Sequence, residues 1–408
     1  MVVTNRFIGG VLLVAGTSIG AGMLALPVFS GFMGFFPSML FLGLCWLFMF
    51  TTAMLLLDVN LSIEGEPNLI TMAEKTLGGF GKAFCWLVYL FLLYSLTAAY
   101  IAACAPLFAK GAEVLLKTSV PNSFGPFPML LFFGIVIYSG TKAVDYLNRF
   151  LMAGLVLSYL TAVFFIPSHV QIDLLKHIDL RASLLAVPLM ITSFGFHIII
   201  PTLTTYMRHS VNRLRWMIFV GSIIPLGVYI LWELLALGVL NISGEFGLVE
   251  AYRQGKNASW QLVRVIENPT LSLTISFFTF FAVITSFLGV STSLSDFLRD
   301  GFKIKKTSGG KALACLLTFT PPLIFVLFYP QGFLMALQYA GIFVALLLGV
   351  LPALMAWNLN RRFFRRCLLV TVLLVSIFII VLVILQEMGS LRHLVQSYLG
   401  VCHVRTSF

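Results

Sequence analysis

The stretch GTSIGAGMLALP, residues 16–27, lies inside an apolar segment that spans residues 7–29. Gly16, Gly20 and Gly22 lie close together in it, and each glycine inside a helix costs about 1 kcal/mol relative to alanine. Helical hydrogen bonding is therefore expected to be weakest there. A break that faced lipid would leave polar groups unpaired, so a break must line a cavity or be covered by protein. The stretch predicts a broken helix that faces a small polar ligand or an ion, with close helix packing through small residues as the alternative.

A second copy of this pattern occurs in the other half of the chain. Residues 192–195, TSFG, repeat residues 17–20, TSIG, and a proline follows each copy, Pro27 and Pro201. Two interrupted apolar segments in corresponding positions of two halves are the best sequence indicator of a secondary transporter's binding site at the membrane midplane. We therefore expect a transporter.

The composition is that of a membrane protein. The 408 residues are 60% hydrophobic and only 10% charged, whereas soluble proteins are roughly half apolar and a quarter charged. Repeated apolar runs, each near the roughly 20 residues that cross a bilayer, exclude a cleavable signal peptide on a soluble domain. The six cysteines show no CxxC spacing, so neither a disulfide framework nor a zinc site is indicated.

Eleven apolar spans are predicted, and the fold class is an all-α polytopic membrane protein. Most of the 26 Lys and Arg residues fall on loops of one side, which places the N-terminus in the cytoplasm and the C-terminus outside. Five crossings separate the two copies of the pattern, so the halves run in opposite directions and form an inverted repeat. The spans are expected at about 7–30, 35–57, 83–108, 127–141, 148–167, 183–205, 214–240, 270–297, 312–329, 332–357 and 367–387.

Three regions follow from this pattern. Residues 1–167 form the first five-helix repeat, with the first span broken near 16–22. Residues 183–357 form the second, inverted repeat, with the sixth span broken near 193–197. Residues 358–408 hold a basic loop, an additional eleventh helix and an outward C-terminal tail.

Several stretches resemble the bacterial hydroxy and aromatic amino acid permeases, and among them the tyrosine permeases. The resemblance implies an inner-membrane proton symporter for aromatic amino acids, with eleven spans and the five-plus-five inverted-repeat, leucine-transporter-like fold of the amino acid transporter superfamily. The stretches are VAGTSIGAGMLALP (14–27), YSLTAAYI (94–101), LNRFL (147–151), TSFGFH (192–197), LRWMIFVGSIIPLGVYILW (214–232), ITSFLGV (284–290) and FYPQGFLMALQYAG (328–341).

The predicted substrate site is built mainly from the two breaks. Amides near the first break suit a carboxylate, and carbonyls near the second suit an ammonium group. Rings in the sixth span, and in the third, which by the resemblance passes beside the site, are candidate walls for an aromatic substrate, although most rings in such a chain simply pack. The candidate substrate-binding residues are Gly16, Thr17, Ser18, Gly20, Ala21, Gly22, Tyr94, Tyr100, Ser193, Phe194, Gly195, Phe196 and His197.

Four residues are candidates for ion coupling. His197 is an ionisable group beside the second break, where it would relay the proton, bond the substrate, or only brace the break. Glu233 is an acid well inside a predicted helix, but the family often has an uncharged amide there, so it is secondary. Thr285 and Ser286 occupy the place where sodium-driven relatives of the superfamily bind their ion, which leaves sodium coupling open.

Charged residues at span ends are candidates for gates. Arg6 and Asp296 occupy the places where relatives form a cytoplasmic gate, although both residues would also serve as interfacial anchors. Asp145 and Arg149, four residues apart, either pair on one helix face or belong to the same inner gate.

The sequence lacks the motifs that would indicate a competing function. An intramembrane enzyme would be indicated by HExxH, GxSxG or paired carboxylates within spans, and a channel by rings of charge; the sequence shows none of these. We expect no cofactor beyond the coupling ion, no metal and no nucleic acid. The expected partners are an aromatic amino acid substrate and membrane lipid, and a monomer is expected to suffice. The choice among tyrosine, tryptophan and phenylalanine stays open, because a stacking wall accepts any ring.

Overall fold

The computed structural model describes residues 2–207, 210–305, 307–357, 363–391, 394 and 398. Within these residues the secondary structure is entirely helical. A helix satisfies its own backbone hydrogen bonds, which is why apolar segments of this length adopt it in hydrocarbon. The described part of the chain therefore has the backbone that its composition predicts.

The helices are labelled in chain order. Those of the first half are α1 Val2–Ser18, α2 Gly22–Ser30, α3 Phe35–Ser62, α4 Leu69–Leu116, α5 Pro126–Ser139, α6 Thr141–Phe165 and α7 Ile172–Leu175. Those of the second half are α8 Ser183–Ser193, α9 Ile200–Tyr206, α10 Val211–Leu237, α11 Leu248–Arg253, α12 Ala258–Val265, α13 Pro269–Gly301, α14 Ser308–Phe328, α15 Phe333–Val344, α16 Leu351–Trp357 and α17 Phe363–Glu387. A π-helical segment, Ala345–Val350, joins α15 to α16.

Nine helical stretches of the described residues are long and apolar enough to cross a membrane, among them the interrupted stretches Leu180–Tyr206 and Phe333–Trp357. The bent pair of α1 and α2 forms a tenth if it counts as one span. The predicted span at 127–141 coincides with α5, which has only 14 residues. At 1.5 Å per residue α5 is about 21 Å long, short of a hydrocarbon core of about 30 Å. Gly140 ends α5 and precedes α6 with φ 107°, a conformation that favours glycine. The structure thus gives nine or ten spans by length, against the eleven predicted.

Both predicted break regions contain an interruption of the helix. α1 ends at Ser18, α2 begins at Gly22, and the two helices are bent by 53°. α8 ends at Ser193, a 3-10 turn covers His197–Ile199, and α9 begins at Ile200. Pro201 lies in the first turn of α9, where its missing N–H group has no helical partner to lose. Proline thus starts the helix that follows the second interruption.

The chain divides into two compact units. The first unit contains Met1–Tyr89, Leu175–Leu234 and Ala340–Ser397, and the second contains Leu90–Leu174, Leu235–Tyr339 and Tyr398–Phe408. Both helix interruptions belong to the first unit. The predicted repeats, residues 1–167 and 183–357, are defined by correspondence in the sequence, whereas these units are defined by contacts. The repeat arrangement therefore stays a prediction. Most of the predicted C-terminal tail, together with Arg361 and Arg362 of the basic loop, lies outside the described residues.

Glycines allow close helix packing within each unit. In the first unit, a Cβ added at Gly221 of α10 would lie 2.6 Å from Cβ of Val14 of α1. In the second unit, a Cβ added at Gly154 of α6 would lie 2.6 Å from the ring of Phe281 of α13. Real side chains do not approach so closely, so glycine is required where these helix pairs meet.

An ion-pair cluster joins three helices of the first unit. The carboxylate of Asp58, at the end of α3, lies 3.0 Å from Arg215 of α10 and 3.3 Å from Arg365 of α17. The arginine side chains are about half exposed, so each pair contributes on the order of 1 kcal/mol or less. The eleventh predicted helix, α17, is therefore tied to the first unit.

Candidate functional site

The two helix interruptions lie against each other within the first unit. A Cβ added at Gly22, the first residue of α2, would lie 3.1 Å from Ser193 Oγ at the end of α8. Ser18 Oγ is buried and has no hydrogen-bond partner, whereas Thr17 Oγ1 donates to the carbonyl of Leu13 at 2.7 Å. Of the predicted hydroxyls at the first interruption, that of Ser18 is free to bind a ligand, and that of Thr17 caps its own helix.

Tyr229 of α10 connects the two interruptions. Its Oη lies 2.6 Å from the carbonyl oxygen of Ser18 and 2.7 Å from the carbonyl oxygen of Ser193. These residues are the last of α1 and α8, whose final carbonyls lack a helical partner and carry the negative end of the helix dipole. A hydroxyl has one proton, so Tyr229 either donates it to one of these carbonyls or shares it between both. The site therefore holds two acceptors against one donor.

No sequence pattern singles out Tyr229 among the 12 tyrosines. It falls within the stretch 214–232 that carries part of the family resemblance, which is the one signal that pointed to it. Its side chain is fully buried and its ring lies 5.2 Å from that of Phe194. Burial of a phenol requires a hydrogen-bond partner, and the partners come from segments distant in sequence.

His197 packs against α3. Its Nε2 lies 2.8 Å from Thr52 Oγ1, and the Thr52 hydroxyl also lies 3.0 Å from the carbonyl of Met49. Because the hydroxyl donates to that carbonyl, we assign the Nε2–H tautomer to His197, which leaves Nδ1 as an acceptor. Nδ1 is buried without a partner. The contact with Thr52 braces the second interruption, and the buried Nδ1 is an unpaired hydrogen-bond acceptor.

Glu233 lies inside the first unit, four residues beyond Tyr229 on α10. Its side chain is fully buried, Oε2 lies 2.7 Å from Ser30 Oγ, and Oε1 has no hydrogen-bond partner. Ser30 Oγ also lies 2.8 Å from the carbonyl of Leu26, and its single proton satisfies only one of these acceptors. A protonated Glu233 completes the chain, because the acid donates to Ser30 and Ser30 donates to Leu26.

The aromatic residues of the second interruption are packed within the first unit. Phe194 and Phe196 are each 1% exposed, and the ring of Phe196 lies 5.1 Å from that of His197. A Cβ added at Gly195 would lie 3.6 Å from Leu348 of the π-helical segment. π-helical turns occur frequently at functional sites, and the sequence did not predict this one.

The predicted site residues of the second unit make their hydrogen bonds within that unit. Tyr94 Oη donates to the carbonyl of Leu317 at 2.9 Å, and Tyr100 is hydrogen-bonded to Ser286. Thr285 Oγ1 donates to the carbonyl of Phe281, in its own helix, at 2.8 Å. Thr285 therefore has the helix-capping contact that spans commonly give their hydroxyl residues.

The gate candidates each have a local contact. The Arg6 guanidinium lies 5.9 Å from the ring centroid of Tyr206 in the first unit. In the second unit, Asp296 lies 3.6 Å from Arg299, and Asp145 pairs with Arg149 at 2.8 Å. The last pair is exposed and lies on one helix face, which is one of the two alternatives that its spacing left open. The gating role of these four predicted residues stays a prediction.

The described residues contain no group of three or more His, Cys, Asp or Glu side chains placed to hold a metal ion. The polar groups that converge at the interruptions are instead two carbonyls, one phenol and the Ser18 hydroxyl. Such groups suit a small ligand that carries hydrogen-bond donors.

Comparisons with known proteins agree with a transport role. Residues 3–391 match the tryptophan/tyrosine permease family. The chain is 36% identical over 365 residues to a tyrosine-specific transport system 1 of Haemophilus influenzae, covering 88% of this chain and 89% of that protein. It is 30% identical over 368 residues to a tryptophan-specific transport protein of the same organism, covering 87% and 88% respectively.

A solved structure resembles the chain in fold. It is the Eremococcus coleocola manganese transporter in complex with an aromatic bis-isothiourea substituted compound, with a TM-score of 0.58. The match covers 97% of this chain and 93% of that chain at 13% sequence identity. At this identity the likeness concerns the fold alone.

Proposed function

The chain belongs to the tryptophan/tyrosine permease family, and from that premise we propose that it imports tyrosine across a bacterial inner membrane as a proton-coupled secondary transporter. The family membership confirms the resemblance found in the sequence, and the relatives are transport proteins and not enzymes. The tyrosine-specific relative shares 36% of aligned residues and the tryptophan-specific relative 30%. Tyrosine is therefore proposed ahead of tryptophan, and a broader aromatic or hydroxy amino acid permease is the next alternative.

The observation that carries the proposal is the meeting of the two interruptions at Tyr229. The carbonyls of Ser18 and Ser193 are negative helix ends that suit an ammonium group, and the start of α2 at Gly22 suits a carboxylate. An amino acid zwitterion has both groups at the spacing of one backbone unit. The buried Ser18 hydroxyl adds a further polar contact in the same place.

The proposed mechanism is alternating access. The interruptions lie in corresponding positions of the repeats 1–167 and 183–357, which supports the inverted-repeat arrangement. We count α5 as a short span, which a bilayer accommodates by local thinning, and the described residues then make eleven crossings. Glycines at the first interruption would absorb the backbone rotation when the site opens to the other side.

The proton is proposed to move through Glu233. A buried carboxylate is costly inside a membrane, and when Glu233 is ionised the single Ser30 proton reaches either the carboxylate or the carbonyl of Leu26 but not both. Ser30 is the last residue of α2, so deprotonation would disturb the helix that begins at the site. His197, with its open Nδ1, is the second candidate. Sodium coupling through Thr285 and Ser286 is the alternative, because the Thr285 hydroxyl that donates to a carbonyl of its own helix keeps oxygen lone pairs for a cation.

The proposed orientation follows the positive-inside rule. The N-terminus faces the cytoplasm and the C-terminus faces the periplasm. The Asp58 cluster, with Arg215 and Arg365, then lies at the cytoplasmic face. Accessibility of single cysteines introduced on alternate loops to a membrane-impermeant thiol reagent would test this orientation.

Uptake by purified protein in liposomes tests the proposed function. Vesicles receive labelled tyrosine under a proton gradient, under a sodium gradient, or under neither. We expect saturable uptake that needs the proton gradient and is inhibited by unlabelled tyrosine more than by tryptophan, phenylalanine or serine. Protein-free vesicles are the control.

Three results would each contradict a different part of the proposal. Uptake driven by sodium alone would overturn proton coupling. Stronger inhibition by tryptophan than by tyrosine would overturn the substrate assignment. Absence of uptake for every aromatic amino acid, with protein correctly inserted, would overturn the transport assignment.

A further inference from the structure

The second unit contains a cavity of about 440 Å³. Its described walls come from α4, the start of α5, the segment that leads into α12, and the end of α14 through the start of α15. None of the predicted substrate-binding residues is among these walls. The volume is within the range of about 300–1,000 Å³ found for small-molecule sites. The cavity is therefore large enough for a ligand and separate in composition from the site at the interruptions.

Two residues that line this cavity carry polar groups of opposite hydrogen-bonding character. Lys256 supplies an ammonium group, which lies 4.7 Å from the ring centroid of Trp260. Asn257 is 2% exposed, and its Oδ1 has no hydrogen-bond partner. A buried carbonyl oxygen without a donor costs about 1–3 kcal/mol. The unpaired Oδ1 therefore calls for a donor that the described protein does not provide.

The ammonium group of Lys256 is partly desolvated. Burial, reinforced by the charge of Arg264 and opposed by that of Glu250, lowers the pKa of Lys256 from its ordinary value. A neighbouring carboxylate would favour the charged form again. Lys256 is thus placed to gain from an anionic ligand.

The wall that holds these groups is packed closely against a neighbouring segment. Gly255 has φ +63°, and a Cβ added to it would overlap the carbonyl oxygen of Gln331. The segment that carries Lys256 and Asn257 is therefore held directly against the connection between α14 and α15. A preformed wall reduces the entropy lost when a ligand binds.

From these contacts we propose that the cavity is a second binding site for an aromatic amino acid. Lys256 binds the carboxylate, Asn257 Oδ1 accepts from the ammonium group, and Trp260 with Phe333 contacts the ring. A ligand with only one charge would leave either the lysine or the asparagine without its partner. The choice of an aromatic amino acid rests on the proposed function, whereas the need for one donor and one carboxylate rests on the cavity.

The position of the cavity suggests its use. The loop between α10 and α13, which carries Lys256, faces outward in the proposed orientation. A site there would hold substrate from the outer solution before it is transported. Ligand binding at this site can therefore be measured without transport.

Hydrogen exchange by the full-length protein in detergent tests the proposal. We expect tyrosine to slow amide exchange in peptides that cover residues 254–260. Tyramine lacks the carboxylate and 3-(4-hydroxyphenyl)propanoate lacks the ammonium group, so each should protect at about tenfold higher concentration than tyrosine.

Two variants assign the contacts. Lys256→Gln is expected to raise the half-protecting tyrosine concentration about tenfold and to abolish the advantage of tyrosine over tyramine. Asn257→Ala is expected to raise it about fivefold for tyrosine and to leave the value for the propanoate unchanged. Lys311→Gln is the matched control, because Lys311 also lies over a ring, that of Tyr138, in the same unit but does not line the cavity.

The outcomes separate this proposal from the proposed function. Absence of tyrosine protection at residues 254–260 in a protein that takes up tyrosine would overturn the second site alone. Protection by the propanoate equal to that by tyrosine would overturn the zwitterion assignment. Protection that both cavity variants weaken and the Lys311 control preserves would support the site even in a protein that does not transport tyrosine.

Discussion

Removal of one hydroxyl at Tyr229 is the sharpest test of the site. Tyr229→Phe keeps the ring that packs on Phe194 and removes the donor shared by the carbonyls of Ser18 and Ser193. Because the hydroxyl has one proton, the loss amounts to about one buried hydrogen bond, or about 1–3 kcal/mol. If this bond positions the two helix ends for substrate, the same energy appears as a loss of affinity of about 5- to 150-fold.

The assay is uptake of labelled tyrosine by proteoliposomes, together with thermal unfolding of the purified variant. We expect the KM for tyrosine to rise at least fivefold and the unfolding temperature to fall. Tyr329→Phe is the matched control, since it also keeps a ring that packs on a phenylalanine, Phe325, and its side chain is about half exposed. Tyr329 belongs to the second unit, so loss of its hydroxyl should change KM much less.

Two results would refute the reasoning about Tyr229. Wild-type KM and unfolding temperature in Tyr229→Phe would mean that neither helix end depends on the hydroxyl. A fall in unfolding temperature with an unchanged KM would mean that Tyr229 is a structural strut and does not position the substrate contacts.

Three further predictions follow from the same unit. Glu233→Gln fixes a neutral side chain, so proton-driven tyrosine accumulation should disappear while tyrosine exchange between equal solutions persists; retained accumulation would exclude Glu233 as the carrier. Thr52→Val leaves the His197 ring without its hydroxyl partner and should lower stability by about 1–3 kcal/mol, measured by thermal unfolding, with proton coupling intact. Gly221→Ala should destabilise the protein by about 1–3 kcal/mol because the added Cβ overlaps Val14. Gly227→Ala is the control and should not destabilise it, because no atom lies within 4 Å of the added Cβ. Equal stabilities of the two variants would contradict the packing argument.

The class of the protein was predictable because the relevant signals are local. Apolar runs near 20 residues predict membrane spans without knowledge of their neighbours, and α5 alone fell short of that length. The interruptions were also predictable, since glycines weaken the helix in which they lie. The ends at Ser18 and Ser193 lie within or beside the stretches 16–22 and 193–197 that the sequence indicated.

The individual candidates differ in how the structure places them. Ser18 lies at the interruption with a free hydroxyl, whereas Thr17 and Thr285 donate to carbonyls of their own helices. His197 was selected for its ionisable ring, but its Nε2 contact with Thr52 could not be inferred from the position of either residue. A hydroxyl or imidazole has several possible partners, and only packing decides which one it meets.

The sequence by itself determined a helical membrane protein of the permease class, with a weak point in two corresponding spans, because hydrophobic length and glycine content act within one segment. Only the tertiary structure decided that Tyr229 meets Ser18, 211 residues away, and that Glu233 meets Ser30, 203 residues away. It also decided that Lys256 and Asn257 share a cavity with Phe333. Such contacts depend on the rotation and approach of separate helices, which are set by side-chain packing across the whole unit.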